Sequence, residues 1–228
     1  TTNYTIWRHS TKSAEETLLW MAQTTAAGMV PWYHRLGGAS EEDKRWRRVG
    51  RKFYQWMSQH DQHFCNIRSL ADTAILYSQR TLAFWGLNKK NPNQDHDSRL
   101  DYFEGIYYAL LQGRHLFDFV HEDKLDAANL KNYRVLVLPN VAFLSDRQCD
   151  QLRAFVRGGG RLLATFETSL YNEWGDRRSQ FGIGDLLGVE VTGPTQGPLR
   201  NSYARLVSSE HPLFESWDET KVLPGALY

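Results

Sequence analysis

The stretch YRVLVLPNVAFLSDRQCDQLRAFVRGGGRLLATFET, residues 133–168, decides the fold. It contains two apolar runs, Arg134–Leu138 and Arg161–Thr165, and each run predicts a buried strand. Between them, Ser145 and Gln148 have the spacing of a capping box, which predicts the start of a helix. Three consecutive glycines end that helix. A strand, a helix and a second strand in this order predict two parallel strands joined by a helical crossover.

The same alternation extends outward on both sides of this stretch. Further strands are predicted at Thr73–Tyr77 and Leu116–Val120, and a helix is predicted to begin at Ser98 after a polar loop. Short helical segments are predicted at Leu125–Leu130 and Phe181–Gly188. Residues 71–190 are therefore predicted to form an α/β domain with an open parallel sheet and flanking helices. The rest of the chain, from Val189, is broken by prolines and predicts irregular β structure.

The first 70 residues have a different organisation. Strands are predicted at Tyr4–His9 and Met29–Tyr33, each followed by a helix, with Ser13 and Ser40 as the N-cap residues. Two strands cannot close a sheet around two long helices, and a complete (β/α)8 barrel needs about 250 residues. We therefore expect residues 1–70 either to be part of something larger or to pack onto the domain that follows, and residues 71–228 to be a separate domain.

Composition and charge exclude several classes of function. The net charge is +1, which gives no electrostatic case for nucleic acid, and no apolar run is long enough to span a membrane. Cys65 and Cys149 have no ligand-type neighbours, and the histidines form no metal-binding pair, so we expect neither a metal nor another cofactor. Aromatic residues make up 13% of the chain, a weak indication of carbohydrate contact.

Four segments taken in order resemble the trimerisation domain of family 42 β-galactosidases and related hypothetical glycosyl hydrolases. They are TAILYSQRT, YFEGIYYALLQGRHLFDFVHED, the stretch quoted at the start, and FGIGDLLGV, and together they cover about residues 72–192. The resemblance implies a flavodoxin-like fold of the class I glutamine amidotransferase type, a homotrimer, and a parent protein that acts in carbohydrate metabolism. Residues 13–66 resemble the last strand and helices of that family's catalytic barrel.

The resemblance also indicates what this segment lacks. Family members use an acid/base Glu and a nucleophile Glu at the ends of earlier barrel strands, and no residue here matches either position. We therefore predict no catalytic residue and no glycosidase activity from this segment alone. An amidotransferase activity is not expected either, because Cys149 falls inside a helix instead of on a strand-to-helix turn.

Two groups of residues are candidates for binding. Trp32, Tyr33, His34 and Arg35 follow the last predicted barrel strand, at the end that faces the active site in barrel enzymes. The alternative is that these side chains pack in the core and rim of the barrel. Trp85 and Trp174 are predicted to lie on loops after strands, where they contact a substrate or a neighbouring subunit, or simply anchor their loops. Phe84 and Tyr171 are predicted to join them at a subunit interface.

Polar residues follow the strands of the predicted α/β domain. Because parallel strands end at one edge of a sheet, we expect these side chains to form a polar pocket there. The candidates are Gln79, Arg80, Glu122, Asn140 and Glu167. The alternative is that they cap helices and hold loops. Gly158–Gly160 is not a phosphate loop, because it precedes a strand instead of opening a helix.

Three hypotheses remain open at this stage. The segment is a non-catalytic assembly module that shapes the active site of a glycoside-hydrolase-like protein. It is part of an active β-galactosidase-type glycosidase whose glutamate pair lies outside it. It is a carbohydrate-binding module that uses the carboxyl edge of the sheet.

Overall fold

The computed structural model describes seven ranges of the chain: residues 11–34, 42–64, 68–86, 100–194, 203–207, 211–214 and 221–224. The chain divides into two compact units, Thr1–Leu70 and Ala71–Tyr228. Each unit is described separately below. The strand predicted at Tyr4–His9, the loop predicted at Leu87–Asp97, and the N-cap positions predicted at Ser40 and Ser98 lie outside the described residues.

The first unit contains two helices that pack against each other, α1 (Ala14–Ala26) and α2 (Arg45–Gln59). Ser13 caps α1 as predicted, since its hydroxyl accepts a hydrogen bond from the backbone N–H of Glu16 at 3.1 Å. The Glu16 carboxylate pairs with Lys12. Helix α2 begins later than predicted, where the Asp43 carboxylate accepts the backbone N–H of Arg45 at 3.1 Å.

The strand predicted at Met29–Tyr33 is wrong within the described structure. No strand is present there, and Val30 and Trp32 are 80% and 85% exposed. An extended segment becomes a strand only when a neighbouring strand satisfies its backbone groups. The described residues of this unit contain no strand with which this apolar run could pair.

The second unit is built on a four-stranded parallel sheet in the order β2-β1-β3-β4. The strands of this sheet are β1 (Thr73–Tyr77), β2 (Phe117–His121), β3 (Val135–Leu138) and β4 (Arg161–Ala164). Its helices are α3 (Gln79–Phe84), α4 (Asp101–Gln112), α5 (Ala127–Leu130), α6 (Asp146–Arg157) and α7 (Gly184–Leu187). The prediction of an α/β domain with a parallel sheet is confirmed.

One face of the sheet forms the main hydrophobic core. Alternate residues of the strands point to this face, and the core includes Ala74, Leu76, Leu136 and Leu138, all fully buried. Helices α5 and α6 cover it. Their contributions are Leu130, Cys149 and Leu152.

The opposite face of the sheet packs against α4 through aromatic rings. Phe103 of α4 lies 5.7 Å from the ring of Tyr77 and 5.4 Å from that of Phe119. Tyr107, one turn further along the helix, meets Phe117 edge to face at 5.7 Å. The two faces of β1 are thus covered by different helices, which explains why Ile75, between Ala74 and Leu76, is also fully buried.

The helix signals in residues 145–160 are confirmed. Ser145 and Gln148 form a reciprocal capping box at the start of α6, with hydrogen bonds of 3.2 Å and 2.9 Å. Gly158 caps the other end, and Gly159 adopts a φ of +95°. Near the end of the chain, β5 (Tyr203–Arg205) and β6 (Val222–Pro224) pair in antiparallel fashion. In the described part of the chain, no helix is long and apolar enough to cross a membrane.

Gly160 should not tolerate a side chain. A β-carbon at this position would lie 2.6 Å from Cδ1 of Phe155, far inside ordinary contact distance. We expect Gly160→Ala to lower the free energy of unfolding by roughly 1–3 kcal/mol, because Phe155 must leave its position on the core. Urea unfolding followed by circular dichroism measures this change.

Gly105→Ala is the matched control. Gly105 lies in the middle of α4, and a β-carbon there would meet nothing within 4 Å. The same substitution should therefore stabilise the protein by about 0.5–1 kcal/mol through helix propensity. Equal effects of the two substitutions would contradict the steric argument.

Candidate active-site edge of the sheet

The carboxyl ends of the parallel strands bring three loops together. Trp85 caps the end of α3, the helix after β1, while Phe143 follows β3 and Glu167 follows β4. Trp85 and Phe143 share a small buried cluster, against which Tyr102 and Tyr171 pack. This edge of the sheet is therefore lined by aromatic side chains.

Glu167 is a buried carboxylate inside this aromatic group. Its residue is 3% exposed, and its Oε2 accepts a hydrogen bond from the indole Nε1 of Trp85 at 2.8 Å. The Trp85 ring meets the rings of Tyr102 and Phe166 edge on, at 5.6 Å and 6.1 Å. Tyr102 and Phe166 stack on each other at 5.4 Å with an interplanar angle of 6°. A charge in this position is tolerated because it is hydrogen-bonded.

The buried charge affects its tyrosine neighbours. Burial raises the pKa of Tyr102 and of Tyr171, and the negative charge of Glu167 raises both further, although Arg177 opposes the shift at Tyr171. Both hydroxyls therefore stay protonated through neutral pH and can donate hydrogen bonds.

Backbone strain is concentrated at the same edge. Asn140, Phe166 and Ser169 have φ angles of +47°, +51° and +67°, in the left-handed region that non-glycine residues rarely occupy. The side chain of Asn140 compensates, since its Oδ1 accepts the backbone N–H of Glu167 at 3.3 Å. Its own backbone N–H donates to the Thr165 hydroxyl at 2.9 Å. Side-chain hydrogen bonds thus hold the turns after β3 and β4 in a fixed conformation.

Glu122 has a different role from Glu167. Its buried carboxylate accepts the Ser78 hydroxyl at 2.6 Å and the backbone N–H of Arg80 at 3.0 Å, at the start of α3. Its backbone oxygen accepts Nε2 of Gln148 at 2.9 Å. This geometry is helix capping, the alternative weighed from the sequence.

Four of the five candidates for the polar pocket therefore fall into two pairs. Asn140 lies with Glu167, whereas Glu122 binds the backbone of Arg80 at the start of α3. Gln79 is exposed on α3. The two carboxylates have different partners, Ser78 and Arg80 for Glu122 and Trp85 for Glu167.

A cleft of about 590 Å³ opens beside Glu167. It is lined by Glu167, Tyr171, Arg177, Val191, Thr192, Gly193 and Pro194. Arg177 and residues 191–194 were not predicted from the sequence to line a site. The turn that carries Arg177 could have been predicted, because Asn172 and Gly175 are typical turn residues. In the structure the Asn172 Oδ1 accepts the backbone N–H groups of Trp174 and Asp176, both at 2.9 Å. This turn pairs Tyr171 with Arg177.

The tryptophans predicted to contact a partner lie in different environments. Trp174 is 83% exposed near the tip of the turn, whereas Trp85 is only 8% exposed. Trp85 lies in the turn that ends α3, with its indole against Glu167, which is the loop-anchoring alternative. Phe84, the preceding residue, points outward and is 61% exposed.

The candidates at the end of the predicted barrel strand belong to the first unit. Trp32 is exposed, and its ring lies 5.2 Å from that of His34. Tyr33 is half-buried, and its ring packs against Gly50 of α2. A β-carbon added at Gly50 would lie 2.9 Å from Cδ1 of Tyr33. Arg35 lies outside the described residues.

Cys149 is buried inside α6 and is far from any nucleophile geometry. Burial raises the pKa of its thiol to about 11, although Arg178 and Arg153 oppose the shift. Among the described residues, no group of three or more histidine, cysteine or acidic side chains could hold a metal ion.

The fold and the site can now be compared with those of known proteins. The parallel sheet with helices on both faces and an aromatic carboxyl edge defines an α/β domain. The chain belongs to the β-galactosidase trimerisation domain family, whose model matches residues 71–193, more than half of the chain. A comparison with curated proteins gave no match.

Three solved structures share this fold at low sequence identity. A β-galactosidase from Bacillus circulans sp. alkalophilus has a TM-score of 0.61 at 18% identity, over 82% of this chain and 30% of that one. A catalytic mutant of a GH42 β-galactosidase from G. stearothermophilus gives 0.59 at 18% identity, over 76% and 25%. An alpha-L-fucosidase isoenzyme 2 from Paenibacillus thiaminolyticus gives 0.60 at 21% identity, over 90% and 29%. The chain spans less than a third of the length of these three proteins.

The hydrogen bond from Trp85 to Glu167 should stabilise the second unit. Trp85→Phe removes the donor and leaves a buried carboxylate with one partner fewer, so we expect a loss of about 1–3 kcal/mol in the free energy of unfolding. Trp174→Phe is the control, because that ring is exposed and its replacement should change stability by less than about 0.5 kcal/mol. If the two variants unfold at the same urea concentration, the hydrogen bond contributes nothing.

Cys149 should be unreactive in the native protein. In a Cys65→Ser variant it is the remaining thiol, and its raised pKa leaves almost no thiolate at pH 8. We expect a thiol-disulfide reagent such as Ellman's reagent to label it only after urea unfolding, or slowly at a pH approaching 11. Rapid labelling of the folded variant at pH 8 would show that Cys149 is accessible and ionised.

Proposed function

We propose that residues 71–228 are a non-catalytic assembly module of a glycoside-hydrolase protein, and that the module forms a homotrimer. The observation that carries this proposal is the match of residues 71–193 to a trimerisation domain family. The finer fold assignment is flavodoxin-like, of the amidotransferase type. Its support is the strand order β2-β1-β3-β4, the order with which flavodoxin-like sheets begin.

The proposed contact surface is the aromatic rim of the carboxyl edge, defined by Phe84, Phe166 and Trp174. These side chains are 61%, 46% and 83% exposed, and interfaces are enriched in aromatic residues. In a three-fold ring each copy meets its neighbours through two different surfaces, so this rim supplies one of the two.

A non-catalytic role fits the state of the buried carboxylates. Glycoside hydrolysis needs one carboxyl to move a proton and a second to attack the sugar or activate water. Glu122 and Glu167 instead accept structural hydrogen bonds from Ser78 and Trp85. The catalytic glutamate pair of the parent protein is therefore proposed to lie outside this segment.

Residues 1–70 are proposed to complete the parent's (β/α)8 barrel. In a complete barrel the segment Met29–Tyr33 would gain neighbouring strands to pair with, and Trp32, Tyr33, His34 and Arg35 would stand at its active-site end. The exposure of Trp32 in this chain is consistent with a ring that stacks on a sugar or is covered by the rest of a barrel.

Replacing the rim aromatics should weaken self-association. Trp174→Ser and Phe84→Ser remove exposed apolar surface from the proposed interface, and each should raise the trimer dissociation constant by about tenfold or more. Multi-angle light scattering over a concentration series measures the molar mass of each variant.

Leu116→Ser is the control for this experiment. Leu116 is 65% exposed, but it precedes β2 and so lies at the opposite, amino edge of the sheet. A wild-type chain that stays monomeric at every concentration would overturn the assembly proposal. If the rim variants form the trimer as readily as the wild type, the interface lies on another surface.

A further inference from the structure

The cleft beside Glu167 has the features of a small-molecule site that the assembly role does not require. Its volume of about 590 Å³ lies within the roughly 300–1,000 Å³ typical of ligand pockets. It opens at the carboxyl edge of the parallel sheet, where α/β folds bind ligands. The strained turns after β3 and β4 are part of the same edge.

The charges that line the cleft define the ligand it would accept. Glu167 contributes one buried negative charge and Arg177 one exposed positive charge, so the lining is neutral overall. An anion would be repelled by Glu167 and a cation by Arg177. A neutral ligand with several hydroxyl groups can instead accept from the Arg177 guanidinium and exchange hydrogen bonds with the Thr192 hydroxyl.

The remaining lining suits the C–H face of a sugar ring. Tyr171 offers an aromatic surface, and Val191 and Pro194 add apolar groups. Monosaccharides combine such an apolar face with a rim of hydroxyls, which matches an aromatic wall beside polar groups. We propose that this cleft binds a neutral saccharide.

The cleft is preorganised on two sides. On one side, the bridge between Tyr171 and Arg177 and the hydrogen bonds of Asn172 fix the turn. On the other side, the backbone N–H of Val191 donates to the Gln180 Oε1 at 2.7 Å. Little ordering is then required when a ligand enters, which favours measurable affinity for a small molecule.

Isothermal titration of the full 228-residue chain with D-galactose and with lactose tests the proposal. We expect saturable binding with a dissociation constant of about 1 mM or lower. Arg177→Ala and Thr192→Val each remove a polar group from the lining and should weaken binding by about tenfold and threefold respectively. Sodium glucuronate should bind more weakly than galactose, because Glu167 repels its carboxylate.

Arg147→Ala is the matched control, since Arg147 is exposed on α6 and does not line the cleft. It should bind galactose like the wild type. If the wild type shows no saturation, or if Arg177→Ala and Thr192→Val bind as tightly as Arg147→Ala, the site assignment is wrong. Light scattering on the same variants distinguishes failure of the cleft proposal from failure of the assembly proposal. A variant that loses sugar binding but keeps its molar mass has lost only the function of the cleft.

Discussion

Ala74, Ile75 and Leu76 lie at the centre of the sheet with no exposed surface, and this burial requires apolar cover on both faces of β1. Helices α5 and α6 provide the cover on one face, and α4 provides it on the other. Parallel pairing on both sides of β1 then forces the strands to end at one edge. The polar side chains that follow the strands therefore lie at that edge. They are Ser78, Glu122, Asn140 and Glu167.

Local signals in the sequence were sufficient for most of this framework. The apolar run of β1 and the capping box at Ser145 predicted elements that the structure contains. The strand prediction at Met29–Tyr33 was wrong because an apolar segment does not reveal whether a partner strand exists. Helix α3 was missed because six residues are too few to show a helical period.

The candidate site was harder to predict than the fold, for a physical reason. The position of Glu167 at the end of β4 was predictable, but its partner Trp85 is 82 residues away in sequence. The role of Glu122 was equally hidden, since capping depends on the backbone of Arg80 across 42 residues. A residue's place at a strand end limits what it can contact, whereas tertiary packing decides whether a carboxylate serves structure or chemistry.

The long separation of Trp85 and Glu167 also has a consequence for how the chain folds. During synthesis, Trp85 leaves the ribosome well before Glu167 exists. Its indole cannot form this hydrogen bond until β3, α6 and β4 have been made. Contacts between residues distant in sequence form slowly, because a long loop must be closed first. The carboxyl edge is therefore among the last parts of the domain to consolidate, and until then its aromatic side chains are open to aggregation or to a chaperone.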